Sequence, residues 1–200
     1  MSGETGSPVG GEGPAGFVLV TGNPHKAEEA RRIVGRALEV AAIELPEIQS
    51  LDAREVLRAK AQEAWRRLER PLVVEETSLE LPALGGFPGP LVKWMLAATG
   101  AEGIARCAAG AGDSRALARC LILHFDGANE VVGEGVEQGR LVLPPRGDTG
   151  FGWDVVFVPD GDDRTYAELG SGEKDARGHR GRAWRDLLRK LQKGTGDSLP

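Results

Sequence analysis

The sequence predicts an α/β fold built on a mixed β-sheet. Strand and helix signals alternate in the first half of the chain, which is typical of parallel strands joined by crossover helices. In the second half, two strand signals flank Asp126-Gly127, a pair that favours a tight hairpin turn. Apolar residues make up 40% of the chain and charged residues 28%, as in globular domains.

The first half contains short apolar runs separated by one-sided helical patterns. Residues 17–20 predict a buried strand, and residues 27–37 predict a helix with its apolar side chains on one face. Residues 38–43 predict a second strand. A capping-box pattern opens a long helix over residues 52–69, and a proline follows its end. Residues 72–74 predict a third strand, which leads into a loop rich in Gly and Pro.

The second half begins with two helices and continues with strands. We expect one helix around Leu91, Met95 and Leu96 and a shorter, Ala-rich one around Ile104. The remaining predicted elements are strands over 116–125, 130–137, 140–143 and 155–158 and a final helix that carries Trp184, Leu187, Leu188 and Leu191. Residues 1–16 and 193–200 are rich in small and polar residues and predict disordered tails, so residues 17–192 form a single domain.

Bulk composition narrows the possible functions. No apolar run has the length of a membrane span, and the N-terminus lacks the pattern of a signal peptide, so we expect a cytoplasmic protein without a membrane partner. Cys107 and Cys120 are the only cysteines and are expected to be reduced. The net charge of −5 argues against binding to a nucleic-acid polymer, but a single triphosphate needs only a few well-placed cations.

The first motif, residues 21–26, reads Thr-Gly-Asn-Pro-His-Lys and lies between the first strand and the first helix. A glycine at such a bend exposes backbone N–H groups, and the N-terminus of the helix attracts a phosphate. Lys26 adds a full positive charge. A plain strand-to-helix connection, with Asn23 and Pro24 as turn residues, remains the alternative.

The second motif is acidic. Glu44 and Glu47 flank a Leu-Pro pair, and Glu75 and Glu76 follow the third predicted strand. Carboxylates at the carboxyl end of a strand face the ligand crevice of many α/β sheets, and Mg²⁺ prefers such oxygen ligands. A solvated acidic loop is the alternative explanation.

The third motif, residues 84–90, reads Leu-Gly-Gly-Phe-Pro-Gly-Pro and is followed by Lys93-Trp94. A tight loop alone explains the glycines. It does not explain a lysine in the first turn of the next helix, where the helix dipole favours an acidic residue.

Two further motifs lie near the C-terminus. Residues 145–154 place Phe151 and Trp153 in a glycine loop beside Asp154, where aromatic rings could stack on a base or simply pack. Glu173-Lys174 and His179-Arg180 precede the last apolar helix pattern. His179 and Arg180 could equally be a structural histidine and a surface charge.

In this order, the motifs resemble those of the inosine triphosphatase (HAM1-like) family, and the resemblance spans residues 18–191. The motifs that carry it are Thr21-Gly22-Asn23 with Lys26, Leu45-Pro46-Glu47-Ile48-Gln49, Glu75-Glu76-Thr77, Ala83-Leu84-Gly85-Gly86 with Pro88-Gly89, Phe151-Gly152-Trp153-Asp154, Thr165-Tyr166-Ala167-Glu168, and Glu173-Lys174 with His179-Arg180.

The resemblance implies an elongated α/β fold with two lobes around a central nucleotide cleft, in a homodimer. It implies a magnesium-dependent pyrophosphatase that attacks the α-phosphorus of ITP, dITP or XTP. The implied magnesium ligands are Glu47 and Glu76, with Glu75 as a further candidate, and Glu76 and Lys26 are the implied catalytic residues. The implied substrate-binding residues are Thr21, Gly22, Asn23, Pro24, His25, Lys26, Lys60, Thr77, Lys93, Phe151, Gly152, Trp153, Asp154, Lys174, His179 and Arg180.

Three residues depart from the family pattern. Glu76 stands where the family usually has Asp, Gly178 replaces a Ser, and Gly181 stands where a bulky aromatic residue is common. The glycines are expected to leave space in the base pocket and to delay or bend the helix that reads the base. Two alternatives therefore stay open, namely a relative that acts on another nucleotide and a nucleotide-binding module that has lost catalysis.

Overall fold

The described chain forms one seven-stranded mixed sheet with helices on both faces. The structure is a computed structural model that describes residues 16–35 and 37–194. The predicted tails therefore lie outside the described residues, except for Gly16, Lys193 and Gly194. The strands are β1 (Val18–Val20), β2 (Val40–Ala41), β3 (Leu72–Glu80), β4 (Pro88–Gly89), β5 (Arg115–Phe125), β6 (Glu130–Leu141) and β7 (Phe157–Pro159). The helices are α1 (Pro24–Val34), α2 (Ala53–Leu68), α3 (Val92–Gly110), α4 (Ser171–Arg177) and α5 (His179–Gly194), with a 3₁₀ turn at Pro82–Leu84.

The order of strands across the sheet is β2-β1-β3-β5-β6-β7, and β4 pairs with the far end of β3. β1 runs parallel to both β2 and β3, whereas β3, β5, β6 and β7 are antiparallel neighbours. The prediction of crossovers first and hairpins later is confirmed. No helix in the described part of the chain is both long and apolar enough to cross a membrane.

β3 is much longer than predicted. Its first residues pair with β1, where Val18 lies opposite Leu72, but all nine of its residues pair with β5, from Leu72 to Glu80. The polar residues after position 74 suggested the end of a strand because polar side chains are rarely buried in a sheet. β1 stops at Val20 and β4 pairs only with Leu79 and Glu80, so among the described residues the edge of β3 between them is unpaired. The cleft described below opens at this edge.

Two other elements differ from the prediction, and a third, the pair of helices on either side of Gly100, agrees with it. The two strands expected over 130–137 and 140–143 are one continuous strand, β6. Residues 171–177 form a helix of their own, α4, because Gly178 has an extended conformation and separates it from α5. The two helices expected around Leu91 and Ile104 form α3, with a break at Gly100 (φ 68°).

Buried apolar residues form three clusters, which define two lobes. One cluster lies between the sheet and helices α1 and α5, and includes Leu19, Ile122 and Trp184. A second lies on the opposite face, against α2. The third lies at the far end of β3 and β5, and packs α3 against Trp153 and its neighbours. The first two clusters belong to one lobe and the third to the other.

Candidate active site

A cleft of about 740 Å³ lies between the two lobes. Its walls come from the β1–α1 loop, the middle of β3, α2, the start of α3, residues 151–154 and the start of α5. The cleft brings together every predicted site residue except Lys174. Lys174 lines an adjoining cavity of about 150 Å³, and the two cavities share His25 and Phe151 in their walls.

The β1–α1 loop is held by its own polar side chains. The Asn23 side chain caps α1 by accepting hydrogen bonds from the backbone N–H groups of His25 (2.9 Å) and Lys26 (3.3 Å). Two N–H groups predicted for a phosphate are therefore already paired. A Cβ atom at Gly22 would lie 2.8 Å from Cγ of the exposed Glu44 side chain, which would have to shift. The side chain of Lys26 provides the positive charge of this loop.

Glu75 and Glu76 are adjacent on β3, so their side chains project to opposite faces of the sheet. Both carboxyl groups are buried, and both contribute to the walls of the cleft. Glu75 meets residues of α1 and α5, whereas Glu76 meets a residue of α2. They consequently belong to two separate ionic networks, and Glu76 shares its network with Glu47 rather than with Glu75.

The first network surrounds Lys60, which projects from α2. Its Nζ atom lies 2.5 Å from Oε2 of Glu76 and 2.8 Å from Oε1 of Glu47. Burial acts to lower the pKa of Lys60, but Glu76 and Glu47 outweigh it and raise this pKa above its usual value. Burial likewise acts against ionisation of Glu47, yet Lys60 and then Lys93 hold its pKa below the usual range. Lys93 contributes from 3.5 Å and is mostly exposed.

The second network surrounds Glu75. Arg180 donates three hydrogen bonds of 2.9–3.1 Å to this carboxylate, and Lys26 Nζ lies 3.3 Å from it. Burial opposes ionisation, but Arg180 and Lys26 keep the pKa of Glu75 well below its usual range. Arg180 is itself only 4% exposed and also contacts Glu29. Glu75 is therefore ionised and paired with Arg180 and Lys26.

Lys174 extends this network toward the aromatic loop. Its Nζ atom lies 2.8 Å from Oε1 of Glu29 and 2.6 Å from Oδ2 of Asp154. Asp154 also accepts the backbone N–H of Phe151 at 2.8 Å. Burial raises the pKa of Asp154, although Lys174 opposes the change. Lys174 was predicted to bind the substrate together with residues 151–154. It lies outside the cleft, behind these residues, and its ion pair holds Asp154 in place.

Glu29 lines the adjoining cavity and was not predicted from the sequence. It is 5% exposed and joins two predicted base-binding cations, Lys174 and Arg180. The cations outweigh the opposing effect of burial and lower the pKa of Glu29. A signal was available, because Glu29 lies three residues after Lys26 and on the same side of α1.

Phe151 provides a flat apolar surface at the end of the cleft away from Lys60. His25 stacks on it, with ring centroids 5.2 Å apart and an angle of 15° between the planes. Nζ of Lys174 and Cζ of Arg180 lie 5.0 and 5.6 Å from its centroid. The resemblance groups His25 with the triphosphate residues, but the structure places its ring beside Phe151.

Trp153 and His179 form the buried part of this end. Their rings are 5.4 Å apart, and Tyr166 stacks on His179 from 5.8 Å. Neither ring nitrogen of His179 has a hydrogen-bond partner among the described residues. Burial, followed by Arg180 and Lys174, lowers the pKa of His179 well below its usual value. His179 is therefore neutral, with one ring nitrogen as a donor and the other as an acceptor, and both nitrogens are buried in this structure.

The two unusual glycines do not leave space in the pocket, contrary to expectation. Neither Gly178 nor Gly181 lines the cleft. A Cβ atom at Gly178 would lie 2.7 Å from the carbonyl oxygen of Lys174, and one at Gly181 would overlap the carbonyl oxygen of Asp175. Both glycines allow α4 and α5 to approach closely. At Gly178 the chain is extended between α4 and α5, so α5 starts at His179 and is not bent at this position.

Comparison with known proteins gives consistent matches over this region. A model of the Ham1 family matches residues 17–190. The chain is similar to a dITP/XTP pyrophosphatase from Ignicoccus hospitalis, with 38% identity over 86% of this chain and 95% of the relative. It is also similar to a dITP/XTP pyrophosphatase from Hyperthermus butylicus, with 35% identity over 88% of this chain and 94% of the relative.

Two solved structures share the fold. A HAM1 protein from Coxiella burnetii superposes with a TM-score of 0.75 and 27% identity, over 88% of this chain and 98% of that one. A dITP/XTP pyrophosphatase from Mycobacterium abscessus superposes with a TM-score of 0.65 and 31% identity, over 86% and 98% of the two chains.

Proposed function

This chain belongs to the Ham1 family, and on that basis we propose how its cleft performs the reaction named for its relatives. The protein hydrolyses deaminated purine nucleoside triphosphates such as dITP and XTP. The products are a nucleoside monophosphate and pyrophosphate. Hydrolysis by attack of water at the α-phosphorus and the residue roles below are our proposal.

One observation carries the assignment of roles. A single cleft places Glu47, Lys60 and Glu76 at one end and Phe151 and Arg180 at the other. The first end has the charges that a triphosphate and a divalent cation need. The second has the flat ring and the donors that a purine base needs. A nucleotide that spans the cleft would place its α-phosphorus between them.

The charge balance of the cleft supports a requirement for a divalent cation. Every cation in it contacts at least one carboxyl group, so little positive charge is left to neutralise a triphosphate. The cations are Lys26, Lys60, Lys93 and Arg180, and the carboxyl groups that contact them are Glu29, Glu47, Glu75 and Glu76. A divalent ion brought with the substrate would supply the missing charge.

The available oxygen donors fit Mg²⁺. Among residues 16–35 and 37–194, no group of three or more His, Cys, Asp or Glu side chains could hold a metal alone. Mg²⁺ is commonly held by one or two carboxylates together with substrate phosphates and water. Glu47 and Glu76, joined through Lys60, offer such a pair, whereas Glu75 is occupied by Arg180. When bound, the ion would withdraw charge from the phosphate oxygens.

The side chains at this end have separate roles in the hydrolysis. Glu76 takes the proton of the attacking water, and the bond between the α-phosphorus and the bridging oxygen breaks as the new bond forms. Lys26, Lys60 and Lys93 neutralise the phosphate oxygens and the departing pyrophosphate. Two carboxylates and three lysines thus bind the cation, accept the proton of the water and neutralise the phosphate groups.

The other end selects the base. A purine with a keto group at position 6 presents a hydrogen-bond acceptor, whereas adenine presents an amino donor there. Arg180 is a cationic donor that lines the cleft, so it favours the keto form and leaves an amino group unpaired, while Lys174 acts from behind the aromatic loop by holding Asp154. Asp154 can accept a ring N–H, and the ring nitrogens of neutral His179 add a further donor or acceptor. Discrimination by unpaired buried groups can be strong.

A substrate panel with Mg²⁺ tests the proposed function. Pyrophosphate release should be faster with ITP, dITP and XTP than with ATP, GTP or pyrimidine triphosphates, and excess chelator should stop it. In ¹⁸O-water the label should enter the monophosphate, which distinguishes attack at the α-phosphorus from attack at the β-phosphorus. Full turnover in chelator, or label in pyrophosphate, contradicts the proposed mechanism.

The same panel separates the alternatives. Preference for an unrelated base would indicate a relative adapted to another nucleotide, and tight binding without turnover would indicate a module that has lost catalysis. The homodimer implied by the resemblance and the cytoplasmic location expected from the composition stay predictions.

A further inference from the structure

Lys60 occupies the space between the two carboxylates that would hold a divalent cation. Its ammonium nitrogen lies 2.8 Å from Glu47 and 2.5 Å from Glu76, so one positive group already bridges both. The Lys60 side chain is 9% exposed, and that of Glu76 is 7% exposed. A cation coordinated by both carboxylates must take the place of this nitrogen.

Removing Lys60 from that position leaves its ammonium without a partner. A buried charge that has lost its partner is strongly unfavourable, so the displaced lysine needs another anion nearby. The network around Glu75 does not supply one, because Glu75 is already held by Arg180 and Lys26. A phosphate group of the nucleotide entering the cleft would supply the missing charge.

We propose that Lys60 is an internal occupant of the cation site that moves onto the triphosphate when the cation binds. The inference rests on the proposed function, which places the cation at Glu47 and Glu76. Its consequence is that cation and nucleotide bind cooperatively. Without nucleotide, the cation must displace Lys60 into a site with no anion. With nucleotide, the same displacement forms a new ion pair. Such coupling is reciprocal, so the cation also strengthens nucleotide binding.

Lys93 provides a matched control in the same cluster. Its Nζ atom lies 3.5 Å from the other oxygen of Glu47, and its side chain is 64% exposed. Lys93 can turn into water when a cation binds, because a solvated ammonium needs no protein partner. Removal of either lysine takes one positive charge from the neighbourhood of Glu47, but only Lys60 lies between the two carboxylates.

The test measures Mn²⁺ binding to the intact protein in the absence of nucleotide. Free Mn²⁺ is followed by electron paramagnetic resonance for the wild type, Lys60→Met and Lys93→Met. Lys60→Met should bind Mn²⁺ about 10-fold more tightly than the wild type, in the range usual for coupled sites. Lys93→Met should stay within about twofold to threefold, as expected for an exposed, solvent-screened charge. The increase in Mn²⁺ affinity on adding the α,β-methylene analogue of ITP should be smaller in Lys60→Met than in the wild type.

Each outcome decides a separate point. Equal or weaker Mn²⁺ binding by Lys60→Met would overturn the proposal, since it would show that Lys60 only holds the carboxylates in place. Absence of Mn²⁺ binding in all three proteins, even with the analogue, would instead refute the metal site of the proposed function. Circular dichroism monitors folding, and Lys60→Gln, which keeps a polar group between the carboxylates, replaces Lys60→Met if the latter does not fold.

Discussion

Replacement of Lys174 by Met is expected to destabilise the protein strongly, because Lys174 neutralises two buried carboxyl groups. Its Nζ atom lies 2.8 Å from Glu29 and 2.6 Å from Asp154, whose side chains are 7% and 4% exposed. Breaking a buried ion pair by removing one partner costs about 3–5 kcal/mol. Arg180 still contacts Glu29, and burial already raises the pKa of Asp154, which can take up a proton. We therefore expect the free energy of unfolding to fall by about 3 kcal/mol, the lower end of that range.

Urea unfolding at pH 7 measures this loss against a matched control. Lys190→Met removes an ammonium group 2.7 Å from Asp186, but there the lysine side chain is 45% exposed. A surface pair contributes about 0–1 kcal/mol, so this variant should remain near the wild type. The residue type and the pair distances are nearly the same, so the difference between the two variants reports the burial of Lys174 and its second carboxyl partner.

A double variant tests the cause of the loss. Lys174→Met combined with Asp154→Asn leaves no unpaired carboxyl group at position 154, so it should recover about 1 kcal/mol or more relative to Lys174→Met alone. Equal destabilisation by the Lys174 and Lys190 variants would refute the argument from burial. Simple additivity in the double variant would refute the assignment of the loss to Asp154.

Three further predictions concern individual side chains. Glu76→Gln should lower kcat about 100-fold or more, because a general base acts in the transition state, and pyrophosphate release at saturating nucleotide and Mg²⁺ checks this. His25→Ala should raise KM about twofold to tenfold, since it removes a stacked ring from Phe151, whereas His25→Phe should behave as the wild type in steady-state kinetics. The lowered pKa of His179, due first to burial and then to Arg180, means that only the unfolded chain takes up a proton below about pH 6.5. Stability should therefore fall as pH decreases from 6.5 to 5, by up to about 1.4 kcal/mol per pH unit from this residue, and an equally steep fall in His179→Phe would contradict this.

The topology was predictable because local patterns decide which elements form and how neighbours connect. The alternation in the first half and the Asp126-Gly127 turn predicted the parallel and antiparallel parts of the sheet correctly. The length of β3 was not predictable from its own residues. Glu75 and Glu76 look like the end of a strand unless the cleft that they line is already known.

In the candidate site too, local sequence patterns predicted some features, whereas others depend on tertiary contacts. Its motifs were recognisable as segments, but the pairings between them depend on contacts between distant parts of the chain. Glu29 and Lys174 are 145 positions apart, and nothing local to either residue indicates the other. The apparent space at Gly181 was misjudged for a related reason, since the carbonyl oxygen of Asp175 fills it from a neighbouring helix.

Consecutive residues of β3 hold the two ionic networks, and this arrangement limits where the chain tolerates insertions and deletions. Insertion or deletion of one residue just before Glu75 would exchange the faces to which Glu75 and Glu76 project. Glu75 would then project toward Lys60 and Glu76 toward Arg180, so the ion pairs of both networks would be disrupted together. The turn between β5 and β6, over residues 126–129, lies outside both networks, so an indel there does not exchange the faces of Glu75 and Glu76. Variants with indels should therefore be recovered readily at that turn and hardly at all within residues 72–76.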